Sequence, residues 1–159
     1  WKNNITGFSN QNCNILKKKF KTNKFIIGDA KNIKLKKNTF DISFCSATIE
    51  HVGSYANQKK LVSELFRVSR NYVFLTTPNR SFPFDFHTKL PLIHLLPKYM
   101  HRKILKVIGL NYFASEKNLN LLFSKDIERI CRELKITDYK IIYNKFIFLK
   151  SNIILIIKK

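Results

Sequence analysis

Glycine is scarce in this 159-residue chain. The four present stand at positions 7, 28, 53 and 109, too dispersed to form a glycine-rich loop of the kind that wraps phosphates or a nucleotide cofactor. Cysteine is as sparse: Cys13, Cys45 and Cys131 show no paired spacing, which argues against a disulfide framework and fits buried free thiols in a reducing cytosol. An uninterrupted apolar run is also missing. The best stretch, 141–157, is broken by Asn144, Lys145, Lys150, Ser151 and Asn152, so it cannot be a continuous span of about 20 apolar residues. No amino-terminal signal region is visible. Acidic residues are few, 10 against 30 Lys and Arg, giving a formal net charge of +20.

Such a charge ordinarily points to nucleic acid or to an anionic membrane surface. Here the lysines are scattered over 17–24, 31–37, 59–60 and the far terminus, and Lys, Asn, Ile and Phe are heavily used together, as A+T-rich coding produces without selection for binding. A basic nucleic-acid-binding module is therefore the rival reading. It predicts binding that weakens steeply with salt, with a logarithmic slope near −0.9 per contacted phosphate on duplex DNA. Hydrophobic residues are plentiful at 45%, enough for one globular domain that buries about 68–70% of its unfolded surface. No repeat or low-complexity linker marks a second domain.

Three short apolar runs, Phe25–Ile27, Ile42–Cys45 and Tyr72–Leu75, are β-branched or aromatic and do not alternate with polar residues. They read as buried parallel strands. Helical stripes lie between them: Cys13, Leu16 and Phe20 after a Ser9–Asn10 start, then Leu61, Leu65 and Val68 widened by Val62 and Phe66. Strands alternating with helices imply crossover units. Small and polar residues recur where the runs end: Gly28, Asp29, Ala30; Ile49, Glu50, His51, Val52; Thr77, Pro78, Asn79. Carboxyl ends of strands are where open α/β sheets bind ligands. Asp41, ahead of its strand, is expected to cap or pair locally.

In this order the residues resemble the class I S-adenosylmethionine-dependent methyltransferases. Ile5 to Phe8 looks like that family's second strand, Gly28–Asp29–Ala30 like the turn after the third, and Phe40–Asp41–Ile42 like the start of the fourth. Ile49 to Val52 resembles the segment leaving the fourth strand, Tyr72 to Asn79 the fifth strand and its exit, and Ser151 to Ile156 the last, antiparallel strand. The resemblance implies an α/β, three-layer Rossmann-like sheet, mostly parallel, with an antiparallel carboxyl-terminal edge. It also implies the cofactor S-adenosylmethionine. In the family the first strand ends in an acid and a glycine-rich loop around the methionine moiety; with no such pattern before Ile5 and Trp1 in place of Met, an amino-terminally truncated fragment is expected. Residues 1–159 then form one partial methyltransferase-like domain.

The same resemblance implies roles residue by residue. Asp29 would accept a hydrogen bond from the adenine amino group, the Ala30 backbone N–H would face a ring nitrogen, and Gly28 would keep the approach clear; an ordinary turn aspartate bonded to its own loop is the alternative. Ser9 stands where the family commonly has an acid on the ribose hydroxyls, and its hydroxyl lacks a carboxylate's charge-assisted strength. Ser46, Ala47 and Thr48 are small, leaving room for the sulfonium and its methyl. Methyl transfer needs chiefly alignment, which can supply about 7–11 kcal/mol of the barrier. A base enters only if the acceptor must lose a proton. His51, with Glu50, would serve an oxygen or nitrogen acceptor; capping the next helix or bonding to the sheet edge is the other reading.

Prolines at 78, 83, 91 and 97 exclude a long regular helix between Thr77 and Pro97. Aromatics interleaved with Arg80 and His87 suggest an ordered loop over the active site, and residues 80–122 are expected to form an acceptor-pocket or lid insert containing His87. The 87, 94, 101 histidine spacing carries no accompanying Cys or acidic cluster, so no metal site is expected. A basic amphipathic helix over 99–108, with Met100, Ile104, Val107 and Ile108 on one side, would form a lid or touch a membrane. A further helix over 124–134 is expected to bury Ile127, Ile130, Cys131 and Leu134, with Ser124 as its cap. The expected acceptor is a small molecule or a lipid-linked intermediate. A catalytically dead subunit that pairs with another chain is a third possibility.

Overall fold

The computed structural model describes residues 5–11, 13–21 and 23–159. Strand β1 (Thr6–Ser9) crosses through helix α1 (Asn14–Lys19) to β2 (Lys24–Ile27), and the two strands pair in parallel from Thr6↔Lys24 to Ser9↔Ile27. The unit repeats as β3 (Phe40–Ser46), α2 (Tyr55–Val68) and β4 (Ser69–Pro78), again parallel. A short hairpin of β5 (Phe84–Asp85) and β6 (Leu90–Pro91) follows, then α3 (Lys98–Val107), α4 (Asn111–Ala114) and α5 (Ser124–Glu133). The chain closes with β7 (Tyr139–Phe146) and β8 (Leu149–Lys158), and β8 inserts antiparallel between β4 and β7 in the order β3-β4-β8-β7. This is the expected α/β Rossmann-like sheet with its antiparallel finish.

The core lies on one face of that sheet. Val73 and Leu75 of β4 and Ile153, Leu155 and Ile157 of β8 alternate onto it, and α2 covers it with Leu61, Val62 and Leu65, α5 with Ile127, Ile130 and Cys131. The opposite face carries exposed Ile42, Phe44 and Tyr72. Burial pushes the Cys45 and Cys131 thiols up to about 11, with a smaller upward push from Glu50 and Glu128 respectively. All three cysteines are buried and free, as expected, and these two are poor nucleophiles.

The β1–β2 pair shares no strand hydrogen bonds with the four-stranded sheet. Between them is a slot of about 530 Å³ lined by Thr6, Gly7 and Phe8 of β1 and by Phe40, Ile42 and Phe44 of β3. Doubly wound sheets put their first strand between the second and the fourth. With β1 and β3 as those two strands, the slot falls where such sheets carry their first strand.

Several local expectations need correction. Helix α1 buries none of its six residues, and Leu16 and Phe20 are exposed; fewer than two turns cannot carry a packed stripe. Only Cys13, at its N-cap position, is buried. Asp41 lies within β3 and pairs with Arg70 at 2.8 Å. Helix α5 is closed not by Ser124 but by Asp126, whose Oδ2 accepts the Phe123 backbone N–H at 2.9 Å. The final hairpin turns at Ile147 and Phe148, both left-handed (φ 46° and 70°); consecutive positive φ values match the twist of a two-residue hairpin. Helix α3 buries His101 and Leu105 and leaves Met100, Val107 and Ile108 exposed.

Candidate active site

Two strand exits meet at the first part of the site. The Gly28 N–H donates to the Ser9 carbonyl at 2.8 Å, and a cavity of about 290 Å³ opens beside Phe8, Ile26, Ile27, Gly28, Asp29 and Leu35. A Cβ at Gly28 would stand 2.7 Å from Phe8 Cζ, so the missing side chain makes room for the Phe8 ring. Asp29 Oδ1 accepts the Lys31 N–H at 2.9 Å and pairs with Lys31 Nζ at 2.9 Å. These contacts, the Lys31 side chain foremost, hold the Asp29 carboxyl below its ordinary pKa. The local-turn arrangement of Asp29 is thus present in the structure. Ser9 Oγ accepts the Gln11 N–H at 3.1 Å. Apolar walls with Asp29, Asn32 and Lys34 as the polar lining are compatible with the adenine end of S-adenosylmethionine, whose flat ring is apolar on its faces and carries an amino donor.

The second part forms where β3 ends. Ser46 Oγ lies 3.0 Å from Thr76 Oγ1, and Ala47, left-handed at φ 45°, donates its N–H to the Thr76 carbonyl at 2.9 Å. The chain then makes a 3-10 turn over Ile49–His51. Ile49 plugs the core with no exposed surface, which carries Glu50 under the sheet end, also fully buried. Thr77 Oγ1 donates to Glu50 Oε2 at 2.8 Å, whereas Glu50 Oε1 has no hydrogen-bond partner among the described residues. Neither Glu50 nor His51 caps α2; Ser54 does, accepting the Asn57 N–H at 3.4 Å.

His51 and His87 converge on Glu50 from different elements. His51 Nδ1 lies 2.6 Å from the Asn118 carbonyl; since a carbonyl only accepts, that nitrogen carries a proton, and Nε2 points inward. His87 arrives on the β5–β6 hairpin. Asp85 Oδ1 accepts both the His87 backbone N–H at 3.0 Å and its Nδ1 at 3.1 Å, and Asp85 Oδ2 accepts the Thr88 hydroxyl at 2.7 Å. The two Nε2 atoms stand 3.1 Å apart, each 3.9 Å from Glu50 Oε1. Of the other histidines in the insert, His94 Nε2 is 2.7 Å from the Phe82 carbonyl, and burial lowers the pKa of His101.

Burial alone would raise the Asp85 pKa, but hydrogen bonds from His87 and Thr88 outweigh it and bring the carboxyl down to about 2. A folded-state pKa below the unfolded value of about 3.9 stabilises the fold above that value and is lost as pH falls toward 2. An acid titration followed by circular dichroism should therefore show wild type losing stability between about pH 4 and pH 2. Asp85→Asn should flatten that limb; an unchanged limb would remove Asp85 as its source.

A polar net beneath the turn was not anticipated from the sequence. Gln58 Nε2 donates to the carbonyls of Ile49 (3.2 Å) and Asn120 (2.8 Å), and Asn120 Nδ2 donates to Gly53 at 2.7 Å. The Asn120 N–H reaches the Glu50 carbonyl at 2.8 Å. The one available signal was Gln58 itself, a polar residue on the buried face of α2.

A family model described as a methyltransferase domain matches residues 5–75. No curated protein sequence matches the chain. Among solved structures, an S-adenosylmethionine-dependent methyltransferase from Methanosarcina mazei aligns with TM-score 0.64 at 12% identity, over 98% of this chain and 82% of that one. The magnesium protoporphyrin IX methyltransferase of Synechocystis, with bound S-adenosylhomocysteine, aligns with TM-score 0.52 at 14% identity, over 87% and 52% respectively. Human N-acetylserotonin methyltransferase in complex with S-adenosylmethionine aligns with TM-score 0.57 at 13% identity, over 98% and 40%.

The chain has the Rossmann-like fold of these methyltransferases, and its residues 5–75 resemble a methyltransferase domain. The solved relatives in complex with S-adenosylmethionine or S-adenosylhomocysteine share this fold.

Proposed function

We propose that the protein methylates a hydroxyl group on a small molecule, with the acceptor held between the β3 exit and the β5–β6 hairpin. The observation that carries this reading is the convergence of Glu50, His51 and His87 within 3.9 Å of one another. S-adenosylmethionine supplies an electrophilic methyl on a sulfonium. Everything else falls to the chain. Asp29, Gly28 and Ala30 hold the adenine end, with Ser9 at the neighbouring exit. Ser46 and Ala47 leave the methyl's path open because their side chains are small. The inward Nε2 atoms of His51 and His87, with Glu50 Oε1, stand beside the acceptor hydroxyl and promote loss of its proton, and Phe113, whose ring centroid is 6.3 Å from that of His87, provides an apolar wall. Lipid-linked alcohols are a second acceptor class, favoured by exposed Tyr99, Met100, Val107 and Ile108 beside Lys103 and Lys106 on α3. Among the described residues, no helix is long and apolar enough to cross a membrane.

Calorimetric titration with S-adenosylhomocysteine tests the cofactor half. Asp29→Ala is expected to weaken binding about 10- to 100-fold, the worth of a charge-assisted hydrogen bond; equal affinity would take Asp29 out of the site. Transfer of a labelled methyl to a panel of soluble alcohols, lipid-linked alcohols and matched amines tests the acceptor half. Label appearing on the amines alone would refute the hydroxyl assignment.

A further inference from the structure

We propose that Glu50, His51 and His87 bind a divalent first-row transition-metal ion whose open coordination position takes the acceptor hydroxyl; the acceptor part of this inference rests on the function proposed above. The geometry is the first argument. Glu50 Oε1, His51 Nε2 and His87 Nε2 form a triangle with sides of 3.1, 3.9 and 3.9 Å. The point equidistant from all three corners, the circumcentre of that triangle, lies about 2.1 Å from each, the bond length of zinc and similar ions to imidazole nitrogen and carboxylate oxygen.

The second argument is electrostatic. His51 donates its Nδ1 N–H to the Asn118 carbonyl and His87 directs Nδ1 at the Asp85 carboxylate, which in the neutral tautomers leaves both Nε2 atoms as acceptors 3.1 Å apart. In those tautomers no proton lies between them. Glu50 Oε1 adds a third electron pair, fully buried and with no hydrogen-bond partner among the described residues, and leaving such a buried group unsatisfied is costly. A single cation at the common point would satisfy all three groups.

The surroundings supply the third argument. Metal-bound histidines characteristically donate their other N–H to a carboxylate or a backbone carbonyl, and bound carboxylates are themselves hydrogen-bonded. Here His87 has Asp85, His51 has the Asn118 carbonyl, and Glu50 Oε2 has Thr77 Oγ1. Two imidazoles and a carboxylate suit zinc, iron, cobalt or manganese, and three protein ligands leave at least one position open. A hydroxyl bound there exchanges its O–H bond for an oxygen–metal bond and releases its proton to solvent. The oxygen then attacks the sulfonium methyl: the O–CH₃ bond forms as the S–CH₃ bond breaks, and the electron pair stays on sulfur. The histidines on this view serve as ligands, and no separate base is required.

The test reads metal binding directly, without cofactor or acceptor. Titration of the full chain with Zn²⁺ by calorimetry, and with Co²⁺ by visible absorption, is expected to show one ion per chain and cobalt bands shifted from those of the aquo ion. His51→Gln, His87→Ala and Glu50→Gln should each weaken binding at least about 10-fold, with unfolding curves recorded to confirm that each variant folds. His51→Gln, at the most exposed of the three positions, keeps the test decisive if a buried variant does not fold. No saturable binding by wild type, or binding that survives in every folded variant, would overturn the site. Metal binding with methyl appearing only on amines would sink the hydroxyl acceptor and leave the site standing. Hydroxyl methylation by a chain that binds no metal would do the reverse.

Discussion

Leu75→Ala is expected to remove a large share of the stability of this fold. Leu75 is fully buried in β4, between Cys45 of β3 and Leu155 of β8, and its side chain contributes to the single core cluster. Truncating a buried leucine to alanine costs about 2–5 kcal/mol, transfer and cavity together, against about 5–15 kcal/mol for a whole domain. Two of its neighbours, Ile153 and Leu155, have no exposed surface, so little can relax into the gap. Phe44 is the matched control. It sits on β3 beside Cys45 but points to the other face and is 70% exposed, so Phe44→Ala should change stability by no more than about 0.5 kcal/mol. Urea unfolding reads both. Equal losses would mean that the sheet has no dominant buried face.

The second large effect is expected from Asn120→Ala. Asn120 is 2% exposed, and its side chain both donates to the Gly53 carbonyl at 2.7 Å and accepts from Lys98 Nζ at 2.6 Å. Alanine would strand a buried carbonyl and a half-buried ammonium, at about 1–3 kcal/mol for each unsatisfied group; a total loss of about 2–6 kcal/mol follows. The carbonyl matters beyond its own energy. Gly53 ends the turn that positions Glu50 and His51, and its φ of +92° leaves it no side-chain anchor of its own. Asn120→Asp keeps an acceptor for Lys98 while losing the donor to Gly53, so its loss should be intermediate. A denaturant midpoint for Asn120→Ala within error of wild type would show that the net beneath the turn is dispensable.

Strand and helix positions were legible where apolar residues kept a clear pattern. The run Tyr72–Leu75 and the Leu61, Leu65, Val68 stripe both became core elements, because a side chain's face within one element follows from its spacing alone. Legibility fell at element ends. The turn of the last hairpin came at Ile147 and Phe148, two apolar residues in left-handed conformations that turn chemistry reserves for Asn and Gly, so no local signal could mark it. The apolar side of α3 was visible in sequence, but which side became buried was decided by His101 and Leu105 meeting the rest of the insert.

The same division holds for the site. Asp29, Glu50 and His51 could be singled out because each follows a strand, and strand exits share one edge of an α/β sheet. Their contacts with one another and with the insert were a different matter. Read along the chain, His87 groups with His94 and His101, and it is the lack of an accompanying Cys or acidic cluster that speaks against a metal there. In three dimensions the hairpin brings His87 Nε2 to 3.1 Å from His51 Nε2, while His94 turns to Phe82. By itself the sequence determined the order of strands, the class of fold and which residues stand at strand ends, since these depend on short-range periodicity. Only the tertiary structure decided that Glu50, His51 and His87 share one point, because that distance depends on how a 36-residue excursion between the two histidines closes over a buried turn.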